Sequence, residues 1–284
     1  MKRAILLAHY DRDGIIDPYV IAAAKEYRNF TDTLIVISVS AKTLPNDLSG
    51  IVDVFIPREN TGYDFGSWRA GLQALPDPFD FDEIICVNDS VYGPLFDLAP
   101  ALESPRVAAA DFWGMTVSEM QTPHVQSWFF AMRSPVIRSE GFYTFWNSCG
   151  SDLPKEDIIA QRELGLTQAI RQSGFHIAGI FDARDTPLAS PAERRKHSSL
   201  GAPLRTWRHR RKTWPSRAPF NPSELFYARL WDTGVPFIKR RIFTENYYGL
   251  DLLQVEAELN ALSPQWASLI RNHRQRLDSA DRHR

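Results

Sequence analysis

Two short polar motifs carry residue types from which a ligand site can be built. The first is Asn60-x-Gly62-x-Asp64; the second is Asn88-Asp89-Ser90, with Gly93-Pro94 behind it. Each follows an apolar run that reads as a buried strand, residues 52–56 before the first and 83–87 before the second. Ligands of open α/β sheets sit at the carboxyl ends of strands, so the two loops are expected to wall one pocket. Gly62 admits a positive φ and close approach of a ligand to the backbone, while Asn60 and Asp64 offer short side chains that can bond a nucleobase or ribose. Asn88, Asp89 and Ser90 present oxygens of the kind that hold Mg²⁺ or Mn²⁺. The plain structural alternatives are an Asx turn with a helix cap for the first motif and a strand-ending turn for the second.

Other candidates lie downstream. His124, Gln126 and Trp128 alternate along an aromatic run, so as strand residues they share a face that can meet a sugar. A satisfied core histidine is the structural alternative. Glu163 stands three and seven residues before Leu166 and Ile170, which puts a glutamate on the inward face of a helix. A carboxylate there can act as general base toward a hydroxyl. Glu156 and Asp157, at the start of that helix, read as capping residues. The stretch 194–212 gathers Arg194, Arg195, Lys196, Arg205, Arg208, Arg210, Arg211 and Lys212, with Trp207 and Trp214 beside its second half. It suits a pyrophosphate or an anionic membrane surface, with a solvated loop as its alternative.

The elements that must position these residues alternate. Apolar runs at residues 4–8, 33–39, 51–56 and 83–87 read as strands, with His9 and Tyr10 ending the first. Asp17 caps a helix whose first residue is Pro18, and another helix is expected over 67–75. This alternation predicts an α/β, Rossmann-type, mostly parallel sheet flanked by helices. Aromatic strands follow at 111–116, which contains Trp113, and 124–132. Helices are expected over 139–149 and 156–173, with Gly174 as the residue after the second, then a strand at 175–181 and two terminal helices over 251–262 and 264–277.

The whole-chain figures bound the function. With 284 residues and a formal net charge of −1, the chain suffices for one large domain and gives no electrostatic case for nucleic acid. Its 2 cysteines lack metal-ligand spacing, and Cys86 lies inside an apolar strand, which excludes a disulfide framework and a zinc knuckle. The apolar run at the amino terminus ends at His9-Tyr10-Asp11, too early for a signal peptide, and no window reaches the ~20 apolar residues of a membrane span. The expectation is a cytoplasmic protein, with peripheral contact at the inner membrane face through the basic stretch.

In collinear order the motifs resemble those of the rhamnan synthesis protein F family. Asn60-Thr61-Gly62-Tyr63-Asp64-Phe65-Gly66 matches its signature. The later blocks are Asn88-Asp89-Ser90-Val91-Tyr92-Gly93-Pro94, Asp111-Phe112-Trp113-Gly114-Met115-Thr116 with His124-Val125-Gln126-Ser127-Trp128-Phe129, Glu163-Leu164-Gly165-Leu166-Thr167, and Pro236-Phe237-Ile238-Lys239. That family is similar to nucleotide-sugar-dependent glycosyltransferases of the GT-A fold and is associated with rhamnose-containing cell-surface polysaccharides. The resemblance implies a GT-A-like domain over 1–250; it does not cover the tail, which from its own pattern is expected to be a helical extension over 251–284. It implies a dTDP-rhamnose-like donor and a lipid-linked or oligosaccharide acceptor. His9, Tyr10, Asn60, Gly62, Asp64, Asn88 and Ser90 would then bind the donor, and Trp113, His124 and Gln126 the acceptor sugar. Asp89 would stand where GT-A enzymes place an Asp-x-Asp metal motif, although Asn88-Asp89-Ser90 has one carboxylate where that motif has two. Glu163 would be the base of an inverting transfer, with basic side chains of the 189–212 loop helping to neutralise the leaving diphosphate. The single carboxylate also motivates an alternative, a non-catalytic glycan-binding or assembly protein with the same fold. An oxidoreductase is disfavoured, because no Gly-x-Gly-x-x-Gly follows the first strand.

Overall fold

A computed structural model describes residues 1–149, 157, 159–185 and 221–282. The basic stretch 194–212 lies outside the described residues, as does Glu156. The chain runs β1 (Arg3–His9), α1 (Pro18–Arg28), β2 (Thr33–Ser38), β3 (Val54–Pro57), α2 (Tyr63–Ala74), β4 (Glu83–Asn88), β5 (Val91–Tyr92) and β6 (Phe112–Ser118). There follow β7 (His124–Val125), β8 (Phe129–Arg133), α3 (Glu140–Ser148), a π-helical turn (Ile159–Leu164), α4 (Gly165–Gln172), β9 (Ile177–Asp182), β10 (Ile238–Lys239), α5 (Leu252–Leu262) and α6 (Pro264–Arg282).

The main sheet has the order β3-β2-β1-β4-β8-β6, with β9 parallel to β6 on its other side and β7 antiparallel to the end of β6. The pairs β3-β2, β2-β1 and β1-β4 are parallel, and β4-β8 and β8-β6 antiparallel. The α/β, mostly parallel sheet expected from the sequence is therefore present, with two antiparallel joints where the aromatic strands enter. Its strands bury both faces by alternation. Ile5, Leu7, Leu34, Val36, Ile85 and Val87 face the side covered by α1, α5 and α6. Leu6, Ile35, Ile37, Ile84 and Cys86 face the side covered by α2, α3 and α4. Val255, Leu259, Trp266, Ala267 and Ile270 of the two terminal helices belong to the same buried cluster as β1 and β4. Leu6 is fully buried, and Leu6→Ala is expected to cost about 3 kcal/mol in a urea melt.

Local differences from expectation have physical reasons. The expected strand 124–132 is split between β7 and β8 at Ser127, whose backbone N–H donates to Glu163 Oε1 (2.8 Å) and not to a strand; on either side the side chains of Gln126 and Trp128 bond residues 221–223, Gln126 Nε2 donating to Asn221 Oδ1 (3.1 Å) and Trp128 Nε1 to Ser223 Oγ (3.0 Å). α2 begins at Tyr63, ahead of the expected 67, because Gly62 at φ 75° lets the chain turn directly into the helix. Asp17 is the N-cap of α1 and Pro18 its first residue, but the Asp17 side chain makes no capping bond. It is bound instead by Arg276 of α6 (Nε to Oδ1 3.1 Å, Nη2 to Oδ2 2.6 Å). Gly174 takes the positive φ expected of it, at 83°. No helix among the described residues is long and apolar enough to cross a membrane.

Candidate functional site

The site lies where β1 and β4 end. β4 delivers Asn88, and the turn after it Asp89 and Ser90; the first turn of α2 delivers Asp64. The two loops meet directly: Asn88 Nδ2 donates to Asp64 Oδ2 at 2.8 Å. Asn88 Oδ1 accepts from Ser90 N (3.1 Å) and Ser90 Oγ (2.6 Å), which fixes the amide's orientation. Burial pushes the Asp64 carboxyl up to about 6, and the charges of Asp89 and Glu163 push the same way, while Asn88 and Lys239 pull it down. Residues from three separate segments, 88–89, 163 and 239, thus act on one carboxylate.

A short ribbon closes the site from the far end of the chain. β10 pairs antiparallel with β5, Lys239 opposite Val91. Lys239 Nζ donates to Ser90 Oγ at 2.9 Å and lies 5.3 Å from the centre of the Trp128 ring. Arg240 Nη1 donates to Asp89 O (2.9 Å), Asp89 Oδ2 (3.1 Å) and Tyr19 OH (2.8 Å). Burial opposes charge on Arg240, but Asp89, Tyr19, Tyr92 and Asp11 together outweigh it and the guanidinium is held more firmly protonated than usual. Tyr19, Arg240 and Lys239 were not among the residues singled out from sequence. The signals were the place of Lys239 at the end of the block Pro236-Phe237-Ile238-Lys239 and the basic triplet 239–241 that it opens.

Glu163 reaches the same region from the π-helical turn. Its Oε1 accepts from Ser127 N (2.8 Å) and lies 4.0 Å from His124 Nε2, and its side chain is 19% exposed. A π turn widens the helix by one residue and is common at functional sites. His124 Nδ1 bonds Thr122 O at 2.7 Å. Glu224, nearly buried, is paired with Arg241 at 3.4 Å.

The remaining expected residues divide. His9 ends β1, buried, with Nδ1 2.9 Å from Ser38 Oγ. Tyr10 is exposed and its backbone N–H lies 3.4 Å from Asp89 Oδ2, so it borders the site. Asn60 is exposed on the loop before α2. Gly62 has the expected positive φ, but the close neighbour is protein: a Cβ there would stand 2.9 Å from the Cys149 carbonyl. Gln126 is buried and its side chain is taken by Asn221 and Ser223, which leaves it packed inside the wall of the site. Trp113 is a correction. It is fully buried, and its Nε1 donates to Glu83 Oε1 (2.9 Å) at the amino end of β4, away from the site. Alternation along β6 places Trp113 inward but does not say at which end of the neighbouring strand it meets a partner.

Two sets of oxygens bear on a divalent ion. Asp89 Oδ2 is taken by Arg240 and approached by Tyr19 OH (3.4 Å), while Asn88 Oδ1 and Ser90 Oγ are committed to one another and to Lys239. The triplet expected to hold a metal therefore leaves Asp89 Oδ1 as its one side-chain oxygen with no hydrogen bond among the described residues, and a single oxygen is a poor site for a divalent ion. The second set is Asp11, Asp17 and His273, all buried, whose ligand atoms lie within 4.8 Å of one another, a spacing that could hold a metal ion. Here too a guanidinium holds the oxygens. Arg276 bonds Asp11, Asp13 (2.7 Å) and Asp17, and Asp11 Oδ1 accepts from the N–H groups of Asp13 (2.9 Å) and Ile15 (3.1 Å). Burial pulls the His273 imidazole down to about 3, with Arg240 and Arg276 adding to the effect. Its Nδ1 lies 2.7 Å from Tyr92 OH, and its Nε2 has no hydrogen-bond partner among the described residues.

Comparison with known proteins agrees with the motif order. The chain is 27% identical over 250 residues to "Virulence protein VirA" of Vibrio anguillarum, covering 84% of this chain and 80% of that protein. Among solved structures, it overlays in part on CMP:2-keto-3-deoxy-manno-octonic acid synthetase complexed with CTP, at TM-score 0.39 and 10% identity over 68% of this chain and 95% of that one. A putative nucleotide-diphospho-sugar transferase from Desulfovibrio desulfuricans G20 overlays at TM-score 0.34 and 11% identity, over 64% of this chain and 81% of that one. The profile of rhamnan synthesis protein F matches residues 34–197, more than half of the chain and inclusive of Asp64, Asp89 and Glu163, and the protein belongs to that family.

Proposed function

We propose that the protein is a glycosyltransferase that moves a sugar from a nucleotide-diphosphate donor to a hydroxyl of a growing cell-surface glycan. The observation that supports it most is the convergence of Asp64, Asn88, Asp89 and Glu163 at the strand ends, tied by the Asp64–Asn88 bond and by the electrostatic effect of Asp89 and Glu163 on Asp64. In this reading the donor's base and ribose lie against Asn60, Tyr10 and Asp64, and its diphosphate runs past Ser90. The acceptor enters on the side of Glu163 and His124. Glu163 takes the proton of the acceptor hydroxyl as its oxygen attacks the anomeric carbon, and the nucleoside diphosphate leaves with the electrons of the broken bond, with inversion. The family suggests a rhamnose donor of the dTDP type and a lipid-linked or oligosaccharide acceptor.

Glu163→Gln tests the assignment cleanly, because a glutamine Oε1 can still accept from Ser127 N. Transfer is expected to fall at least ~100-fold, the usual scale of general-base removal, while donor affinity stays unchanged. Retained turnover would remove Glu163 from the role. A thermal-shift panel of nucleotide sugars tests the donor itself, since a ligand that binds only the folded state raises the melting temperature. Stabilisation by glycan with none by any nucleotide sugar would instead mark a glycan-binding partner.

A further inference from the structure

The cations of the site come from the protein. Asp89 is paired with Arg240 and Glu224 with Arg241, so the two guanidinium groups that directly follow β10 are already matched to carboxylates. Lys239 is different. Its ammonium has three donors, of which one reaches Ser90 Oγ at 2.9 Å. Among the described residues no carboxylate lies within the 4.0 Å of an ion pair with it. It is held over the Trp128 ring and partly screened from water, and burial pulls its pKa down to about 8 against the more distant carboxylates of Glu224, Glu163 and Asp64. An ammonium in low-dielectric surroundings with free donors and no close counter-ion attracts an oxyanion strongly. The oxyanion that fits this position is the one that must pass Ser90 if the transferase reading is right.

We propose that Lys239 is the ligand for the donor's diphosphate, resting on the glycosyltransferase reading, and that it contributes here the positive charge that a divalent ion supplies at Asp-x-Asp sites. Of the oxygens that would hold the ion, Asp89 Oδ2 is taken by the arginine, Ser90 Oγ by the lysine and Asn88 Oδ1 by Ser90. As the sugar departs, negative charge grows on the diphosphate oxygen, and a preorganised ammonium beside it favours the departure. Lys239 keeps its proton throughout, and the leaving group departs as the free nucleoside diphosphate.

The test is isothermal titration of the full chain with dTDP and with UDP, once in EDTA and once in Mn²⁺. One of the two nucleotides is expected to bind in EDTA, with affinity changed less than about threefold by Mn²⁺. Lys239→Met is expected to weaken it about 10- to 100-fold, the worth of a charge-assisted hydrogen bond, and Lys239→Arg to restore most of the loss. In the parent protein binding should weaken as pH rises through about 8, whereas the arginine variant, charged throughout, should not follow. A thermal melt of each variant confirms that it is folded; if Lys239→Met does not fold, Lys239→Arg and the pH series carry the decision. Unchanged binding by Lys239→Met, or binding seen only with Mn²⁺, overturns the inference and leaves the transferase reading standing. Failure of both nucleotides to bind in both buffers overturns the transferase reading and the inference with it.

Discussion

Arg276→Met is expected to lower the unfolding free energy by about 3–5 kcal/mol at pH 7, the cost of stripping a buried ion pair of one partner. Arg276 bonds Asp11, Asp13 and Asp17, and Asp11 and Asp17 have side chains only 5% exposed. Burial raises the Asp11 carboxyl, but the N–H of Ile15 and the guanidinium outweigh it, and its pKa ends below the ordinary value. For Asp17 burial wins and the pKa ends raised even with Arg276 in place. Without the guanidinium both carboxyls are driven up, above their values in the unfolded chain. A group whose folded pKa is raised gains stability as pH falls, so the gap between variant and parent should narrow between pH 7 and 4. Urea melts at both pH values check this, and a gap that stays constant would locate the role of Arg276 in packing and not in charge.

Asp64→Asn should move stability and binding in opposite directions. The folded pKa of Asp64, raised to about 6 chiefly by burial, means that its ionised form destabilises the fold at neutral pH. The sign follows from linkage: the folded protein binds the proton more tightly than the unfolded chain, so the cost appears as pH rises from about 4 to about 6 and persists above. An asparagine accepts the Asn88 bond without the charge. At pH 7.5 the variant is expected to be about 1–2 kcal/mol more stable, discounted from the two-unit shift because the side chain is partly open to water. At pH 4 the gain should vanish. If Asp64 contacts the donor, nucleotide affinity should fall about tenfold in the same variant. A carboxylate kept at a cost to stability is one whose charge is used, a common trade at functional sites.

The parts of the fold that were legible are those whose signal is local. β1, β2 and β4 are unbroken apolar runs, and a strand buried on both faces has no other way to look. β3 starts at Val54, later than the expected 51, because its short run carries no stop signal of its own. The split between β7 and β8 was hidden for another reason: the backbone N–H of Ser127 leaves the ladder for Glu163, 36 positions away. The site divides in the same way. Asp64, Asn88 and Asp89 stand at loops that follow strands, and loops after strands can be read from the order of runs. Lys239 stood in the closing block and Arg240 beside it, but neither could be assigned to the site, because Ser90 and Asp89 lie 149 and 151 positions before them. Trp113 was misplaced because strand alternation gives a side chain's face and not its partner.

The β5–β10 ribbon has a consequence for synthesis. A nascent chain displays Asp64, Asp89 and Glu163 long before residue 240 has left the ribosome, so the strand ends first form as an uncompensated acidic mouth. Asp89 acquires its guanidinium, and Ser90 its ammonium, only when residues 238–240 fold back to pair with β5. On the transferase reading, a chain that has not yet reached residue 239 would have Glu163 in place without the ammonium proposed to receive the diphosphate.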